Sequence, residues 1–85
     1  MFERDLGDGW EASAEARGIA GMVPQFDLRS PTGRLIGWMD AGEYEHVSGA
    51  IVPARILLAF LYAYREWSLQ QPEGSPDRAE WEKAP

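Results

Sequence analysis

The chain has 85 residues, no Cys, a single His and a formal net charge of −6. A domain of this size buries only about 60 to 65% of the surface that its unfolded chain exposes, and disulfides, thiolate metal sites and His-rich zinc spheres are excluded. Association with another chain is then the remaining way to stabilise a small core. The negative charge argues against direct binding to nucleic acid or to anionic membranes.

The ends of the chain carry the acidity. Residues 1–16 hold five acids and one base, residues 72–85 hold four acids and two bases, and residues 17–71 hold five of each. The acidic start MFERDLGDGW lacks the basic region of a secretory signal, and the longest apolar run, Ile56 to Tyr64, is far shorter than the roughly 18 residues of a membrane span. We therefore expect a cytoplasmic protein that makes no membrane contact.

Residues 1–9 are assigned to an N-terminal arm, and the segment WEASAEAR that follows carries two conflicting signals. Asp8 with Glu11 resembles a capping box, and Ala and Glu favour helix, but the apolar residues form no helical stripe. A strand places them on one face and the polar residues on the other, so alternation predicts a strand over residues 10–17. The two faces would be Trp10, Ala12, Ala14, Ala16 and Glu11, Ser13, Glu15, Arg17.

A hairpin is predicted in FDLRSPTGRLIGW, after a GIAGMVP connection at residues 18–24. Ser30-Pro31-Thr32-Gly33 has Pro at the second position and Gly at the fourth, as a type I turn with a left-handed Gly prefers. Simple alternation from this turn pairs Arg29 with Leu35, Leu28 with Ile36, and Phe26 with Trp38. The predicted faces are Phe26, Leu28, Ile36, Trp38 and Asp27, Arg29, Leu35, Gly37.

A second reversal is predicted at DAGE, with EYEHV returning as a third strand of the meander. Its register is open. A two-residue loop pairs Met39 with Tyr44, whereas a three-residue loop moves every partner and leaves the face of His46 undetermined.

One helix is predicted over residues 53 to about 70, since Pro53 suits its start and Pro72 stops it. Its segment RILLAFLYAYREW has apolar or aromatic side chains at ten of thirteen positions, more than one buried face needs. The predicted core face is Ile56, Phe60, Ala63 and Trp67. The opposite side forms what we call the outer stripe, consisting of Leu58, Leu61, Tyr62, Arg65 and Leu69.

The outer stripe lacks an obvious cover within the chain, because a small sheet covers only one side of a helix. So much contiguous apolar surface is unusual for a monomer, and we interpret it as a homodimer interface. One alternative is a different protein that binds this helix in a groove of its own. The other is a cover formed by the chain termini, with Phe2 and Leu6 or with Trp81.

The cluster DAGEYEH has side chains that could form a metal or catalytic site, but a strand places Glu43 and Glu45 on one face and His46 on the other. No cofactor, metal or catalytic residue is expected, because no Ser is placed near the only His and no phosphate loop occurs. We interpret the negative hairpin end as a partner-binding patch for another protein, with a basic surface as its complement. The patch consists of Asp40, Glu43, Tyr44 and Glu45.

The sequence thus predicts an α+β domain at residues 10–71, in which an antiparallel meander of three or four strands packs on one C-terminal helix, followed by a mobile acidic tail at residues 72–85. The predicted function is non-enzymatic protein binding, as an acidic inhibitor or adaptor. Small acidic domains without Cys are similar in size and charge to phage-encoded inhibitors of nucleic-acid-binding defence complexes, which is one alternative. A structural subunit of a larger assembly and a small metal-dependent enzyme are the others.

Overall fold

The computed structural model of the chain describes residues 2–15, 25–40 and 43–71. It is a five-stranded antiparallel sheet with strands in chain order, packed on one C-terminal helix. The predicted α+β meander is confirmed, with one strand more than the three or four expected. The elements are β1 (Phe2–Gly7), β2 (Trp10–Glu15), β3 (Gln25–Arg29), β4 (Leu35–Asp40), β5 (Glu43–His46) and α1 (Ala54–Leu69).

The additional strand is β1, which lies within the segment assigned to an N-terminal arm. It pairs with β2 through a two-residue loop, Asp8-Gly9, so that Gly7 lies opposite Trp10. Both loop residues have positive φ, 52° and 85°, as in a type I′ turn, whose twist matches that of the flanking strands. A side chain at Gly9 would meet Pro31 at 3.0 Å, so this turn packs closely against the next hairpin tip.

Strand β2 confirms the choice of alternation over helix propensity for residues 10–15. Ala12 and Ala14 are buried in the core, whereas Glu11 on the other face is exposed. Small side chains here let the helix approach the sheet closely. The predicted positions Ala16 and Arg17, the connection 18–24 and the tail 72–85 lie outside the described residues.

The β3–β4 hairpin has the predicted turn but only part of the predicted register. Gly33 N–H donates to the Ser30 carbonyl at 2.8 Å, Gly33 has φ 84°, and Arg29 lies opposite Leu35. A β-bulge beside this pair then shifts every later partner by one residue. The observed pairs are Leu28↔Gly37, Asp27↔Trp38 and Phe26↔Met39.

The bulge corrects the predicted faces of β4. Met39 takes the core position expected for Trp38, and it is 6% exposed. Trp38 lies opposite Asp27 on the face turned away from the helix. Ile36 is the extra residue of the bulge, between Leu35 and Gly37. It is buried as expected, because a bulged residue need not follow the alternation of its neighbours.

The register of β5 follows the two-residue alternative. Met39 lies opposite Tyr44 and Gly37 opposite His46. Tyr44 and His46 are therefore on the helix side of the sheet, and Glu45, opposite Trp38, is on the other side.

The core lies between the sheet and one face of α1. The predicted core residues of the helix, Ile56, Phe60, Ala63 and Trp67, are all buried, together with Tyr64 and Ser68. Phe26 is the centre of the aromatic packing, since its ring lies 5.2 Å from both the Phe60 and the Trp67 ring centroids. Burial of several large aromatic side chains is the main source of stability in so small a domain.

Candidate functional site

The sheet face turned away from the helix, which we call the outer face, collects acidic side chains from separate strands. One row of laterally paired residues crosses all five strands, in the order Glu3, Ser13, Asp27, Trp38 and Glu45. A second row runs through Asp5, Glu11, Arg29 and Leu35. Paired residues share a face, and the buried Ala12, Ala14, Phe26 and Leu28 mark the opposite one.

The carboxylates of the outer face come from four strands and are mostly exposed. Glu3, Asp5, Glu11, Glu43 and Glu45 are all exposed to solvent. Asp5 lies directly opposite Glu11, an arrangement of like charges that destabilises a sheet unless a partner of opposite charge approaches. In the two rows of paired residues described here, Arg29 is the only base.

Arg29 is already engaged by groups of the same domain. Its guanidinium lies 3.7 Å from an oxygen of Asp27 and donates to the Gly33 carbonyl at 3.3 Å. Asp27, which is 8% exposed, also accepts a hydrogen bond from the Gln25 amide at 2.9 Å. Because Arg29 pairs with Asp27, the exposed carboxylates around this ion pair keep their charge available to a partner.

The partner-binding patch predicted from the hairpin end is divided by the structure. Glu43 and Glu45 are exposed on the outer face, and the backbone of Asp40 lies opposite Glu43. Tyr44 is on the helix side, half-buried, with its ring centroid 6.1 Å from that of Phe60. Burial raises the pKa of the Tyr44 phenol, because the charged form is costly to desolvate. The structure thus places Glu43 and Glu45 on the outer face and Tyr44 on the opposite side of the sheet.

Tyr44 and His46 form a short hydrogen-bonded chain on the helix side. His46 Nε2 lies 2.9 Å from the Ala50 carbonyl, which only accepts, so this nitrogen carries the proton. In the neutral ring, Nδ1 then accepts from the Tyr44 hydroxyl at 2.8 Å. Both ring nitrogens are occupied by bonds that tie β5 to the segment entering the helix, which is a structural role.

The DAGEYEH cluster does not converge on a metal-binding geometry in the described chain. Glu43 and Glu45 are on the face opposite to His46. Among residues 2–15, 25–40 and 43–71, no group of three His, Cys, Asp or Glu side chains is placed to hold a metal ion.

The outer stripe of α1 is largely exposed, as its spacing predicts. Leu58 is 54% exposed, Tyr62 63% and Leu69 46%, and Arg65 is also exposed. Leu61 differs, because it is half-buried against the core. Phe2 and Leu6, weighed as a cover for this stripe, pack on the core instead, and Trp81 lies outside the described residues.

A groove separates β1 from α1 at the edge of the sheet. Its volume is about 310 Å³, and its lining combines small and apolar side chains with charged ones. Arg4 on β1 and Glu66 on α1 meet at 2.6 Å, and this bridge holds the pKa of the Glu66 carboxyl below its usual value. The lining residues are Arg4, Asp5, Leu6, Ala59, Tyr62, Ala63 and Glu66.

Sequence reasoning missed both the acidic outer face and this groove. The outer face depends on the lateral register of five strands, which residue order alone does not give. The groove depends on β1, for which a signal was present in the Asp8-Gly9 pair typical of tight hairpins.

Comparison with the models of known protein families, with curated proteins and with solved structures finds no match for the chain. Within the described residues, no helix has the length and apolar character needed to cross a membrane.

Proposed function

We propose that the protein is a non-enzymatic interaction protein whose outer face binds a basic surface of another protein. The observation that carries this proposal is the set of exposed carboxylates on one sheet face, namely Glu3, Asp5, Glu11, Glu43 and Glu45. A partner that presents clustered Arg and Lys would relieve the repulsion among them. The class of partner includes proteins whose basic surfaces otherwise bind nucleic-acid phosphates, so the protein would act as an inhibitor or adaptor.

The uncharged part of the outer face supports the same role. Trp38 is half-buried in the first of the two rows, between Asp27 and Glu45, and Leu35 is half-buried in the second row. A large aromatic side chain surrounded by charged neighbours is typical of interface centres, where it supplies apolar contact area. The charges would steer the partner and set its association rate, and Trp38 would contribute to its residence time.

The test compares two single variants that remove the same amount of charge. Glu11→Gln acts on the outer face, whereas Asp8→Asn acts on a carboxylate of the β1–β2 turn, which pairs with Arg55 away from that face. Each immobilised protein captures basic proteins from a cell lysate at fixed salt, followed by identification by mass spectrometry. We expect the outer-face variant to lose the captured partner and the control to retain it. Equal loss in both would show that net charge alone is responsible, and the proposal would be wrong.

We also propose that the outer stripe of α1 packs against a second copy of the chain. This rests on the exposure of Leu58, Tyr62 and Leu69 at helical spacing. An antiparallel pairing of the helix with its symmetry mate brings Leu58 of each copy toward Leu69 of the other, and Tyr62 toward Arg65, so the stripe is complementary to itself.

Sedimentation over a concentration series tests this dimer. Leu58→Glu places a charge in the stripe, and Thr32→Glu adds the same charge at an exposed hairpin tip. We expect the intact protein and the Thr32 variant to dimerise, and the Leu58 variant to remain monomeric. A monomer for the intact protein at all concentrations would contradict the dimer and leave the proposal for the outer face unaffected.

A further inference from the structure

Strand β1 is a free edge of the sheet. It pairs with β2 on one side, and within the described part of the chain no strand pairs with its other side. Glu3, Arg4 and Asp5 at its centre are exposed. Backbone donors and acceptors at such an edge are a template for an additional strand, and proteins use them for recognition of extended segments.

The groove between β1 and α1 lies beside this edge, on the helix side of the sheet. Its apolar lining includes Leu6, Ala59 and Ala63, and Tyr62 and the Arg4–Glu66 bridge line the same groove. A strand added next to β1 would point alternate side chains toward this space of about 310 Å³. The other side chains would extend the outer face.

The charges of β1 disfavour a second copy of the chain at this edge. A two-fold axis that joins two antiparallel β1 strands keeps both helices on the same side, so each residue meets one from its own face. The registers centred on residues 3, 4 and 5, in the middle of the strand, place Glu3 opposite Glu3, or Arg4 opposite Arg4 with Glu3 opposite Asp5, or Asp5 opposite Asp5. Like charges directly opposite each other destabilise strand pairing.

We infer that the β1 edge binds an extended segment of the partner protein, with basic residues at the positions facing Glu3 and Asp5 and small apolar residues facing the groove. This inference rests on the proposed function, because it takes the partner to be basic. It adds the form of the ligand, a single strand with alternating pattern, and a second recognition element, the groove. The backbone of β1 would supply affinity and the alternation would supply specificity.

The test uses two capped hexapeptides of the same composition on the full-length, isotope-labelled protein. One alternates lysine with valine, and the other has three lysines followed by three valines, so that only the first separates charge and apolar groups onto two faces. Amide chemical shifts report the site and the dissociation constant. We expect the alternating peptide to bind at least tenfold more tightly, with shifts in residues 2–7 and 59–66.

Two variants of the helix keep the test specific to the groove. Ala59→Leu fills the groove without touching the outer face, and we expect at least tenfold weaker binding of the alternating peptide. Ala54→Leu, at an exposed position outside the groove lining, is the matched control and should bind as the intact protein does.

Several outcomes would overturn the inference. They are equal binding of the two peptides, unchanged binding by Ala59→Leu, and shifts confined to β5 or to the outer stripe. Shifts of residues 2–7 that grow with protein concentration, in the absence of peptide, would identify a second copy at the edge instead. A peptide result as expected, together with equal partner loss in the two charge variants above, would retain the strand site and reject the broader outer-face proposal.

Discussion

Among the glycines of the described residues, Gly37 is the position at which an added side chain would clash most severely. A Cβ at this position would clash with the Tyr44 hydroxyl and would lie 2.8 Å from the Glu45 carbonyl oxygen. The phenol ring thus covers the glycine of the neighbouring strand, and the hydroxyl reaches His46 from there. Tyr44, predicted as part of the partner-binding patch, lies on the helix side because of the β5 register, and its ring occupies the space beside Gly37 there.

We predict that Gly37→Ala destabilises the protein by about 1–3 kcal/mol, because the methyl group displaces Tyr44 and presses on a backbone carbonyl. Gly49→Ala is the control, since Gly49 has φ 84° but open space where its Cβ would be, so only a backbone cost of about 1 kcal/mol is expected. Urea unfolding measures both changes. The near-ultraviolet circular dichroism of tyrosine should change for Gly37→Ala alone, and an unchanged spectrum would refute the displacement of Tyr44.

The burial of the Tyr44 phenol predicts a loss of stability at alkaline pH. The pKa is raised in the folded protein, so the neutral phenol is favoured there, and the unfolded chain ionises first. Stability is therefore complete below the unfolded pKa of about 10 and declines as the pH rises through the folded value. We expect the unfolding free energy of Tyr44→Phe to decline less steeply above pH 10 than that of the intact protein. Parallel pH profiles would be incompatible with this mechanism.

At the level of elements, α1 has one face that is buried against the sheet and one that is largely exposed. Phe60→Ala removes a fully buried ring that contacts Phe26 and Tyr44, and we predict a loss of about 3–5 kcal/mol. Leu58→Ala removes a side chain that is 54% exposed, and its effect on the monomer should stay within about 0.5 kcal/mol. Denaturant unfolding at low protein concentration compares the two. Similar losses would show that Leu58 is covered.

The predictability of the elements follows from how local their signals are. The predictions of the Ser30–Gly33 turn and of the core face of α1 are confirmed, because turn geometry and helical spacing depend on a few neighbouring residues. The bulge beside Arg29 was not predicted, since simple alternation places Trp38 on the core face as readily as Met39. Burial of Met39 depends on the fit of the hairpin under the helix, which is a tertiary contact.

For the whole molecule, the decisive feature is the distribution of charge between two sides. Counted along the chain, residues 17–71 balance at five acids and five bases, so residue counts alone do not indicate an array of carboxylates on one face. The register separates the charges in space. Glu43 and Glu45 join Glu3 and Glu11 from distant segments on the outer face, whereas Arg4 and Arg55 pair with acids between the strands and the helix.

This distribution predicts that added salt stabilises the protein at neutral pH. The outer-face carboxylates repel each other, and about 0.1 M salt screens exposed charges separated by more than about 10 Å. We expect the urea midpoint to rise as sodium chloride increases from low concentration. Glu11→Gln with Glu45→Gln should be more stable than the intact protein at low salt and respond less to salt. An equal response in both proteins would mean that the repulsion does not affect folding.

The position of α1 after all five strands has a consequence for how the chain acquires its structure during synthesis. Each hairpin joins neighbouring segments, so the meander itself requires only local pairing. Its apolar side, with Phe26, Leu28 and Met39, has no cover until the helix has left the ribosome. Nascent chains that end before residue 69 would expose that surface and bind chaperones, and protection from proteolysis should appear abruptly once the helix emerges.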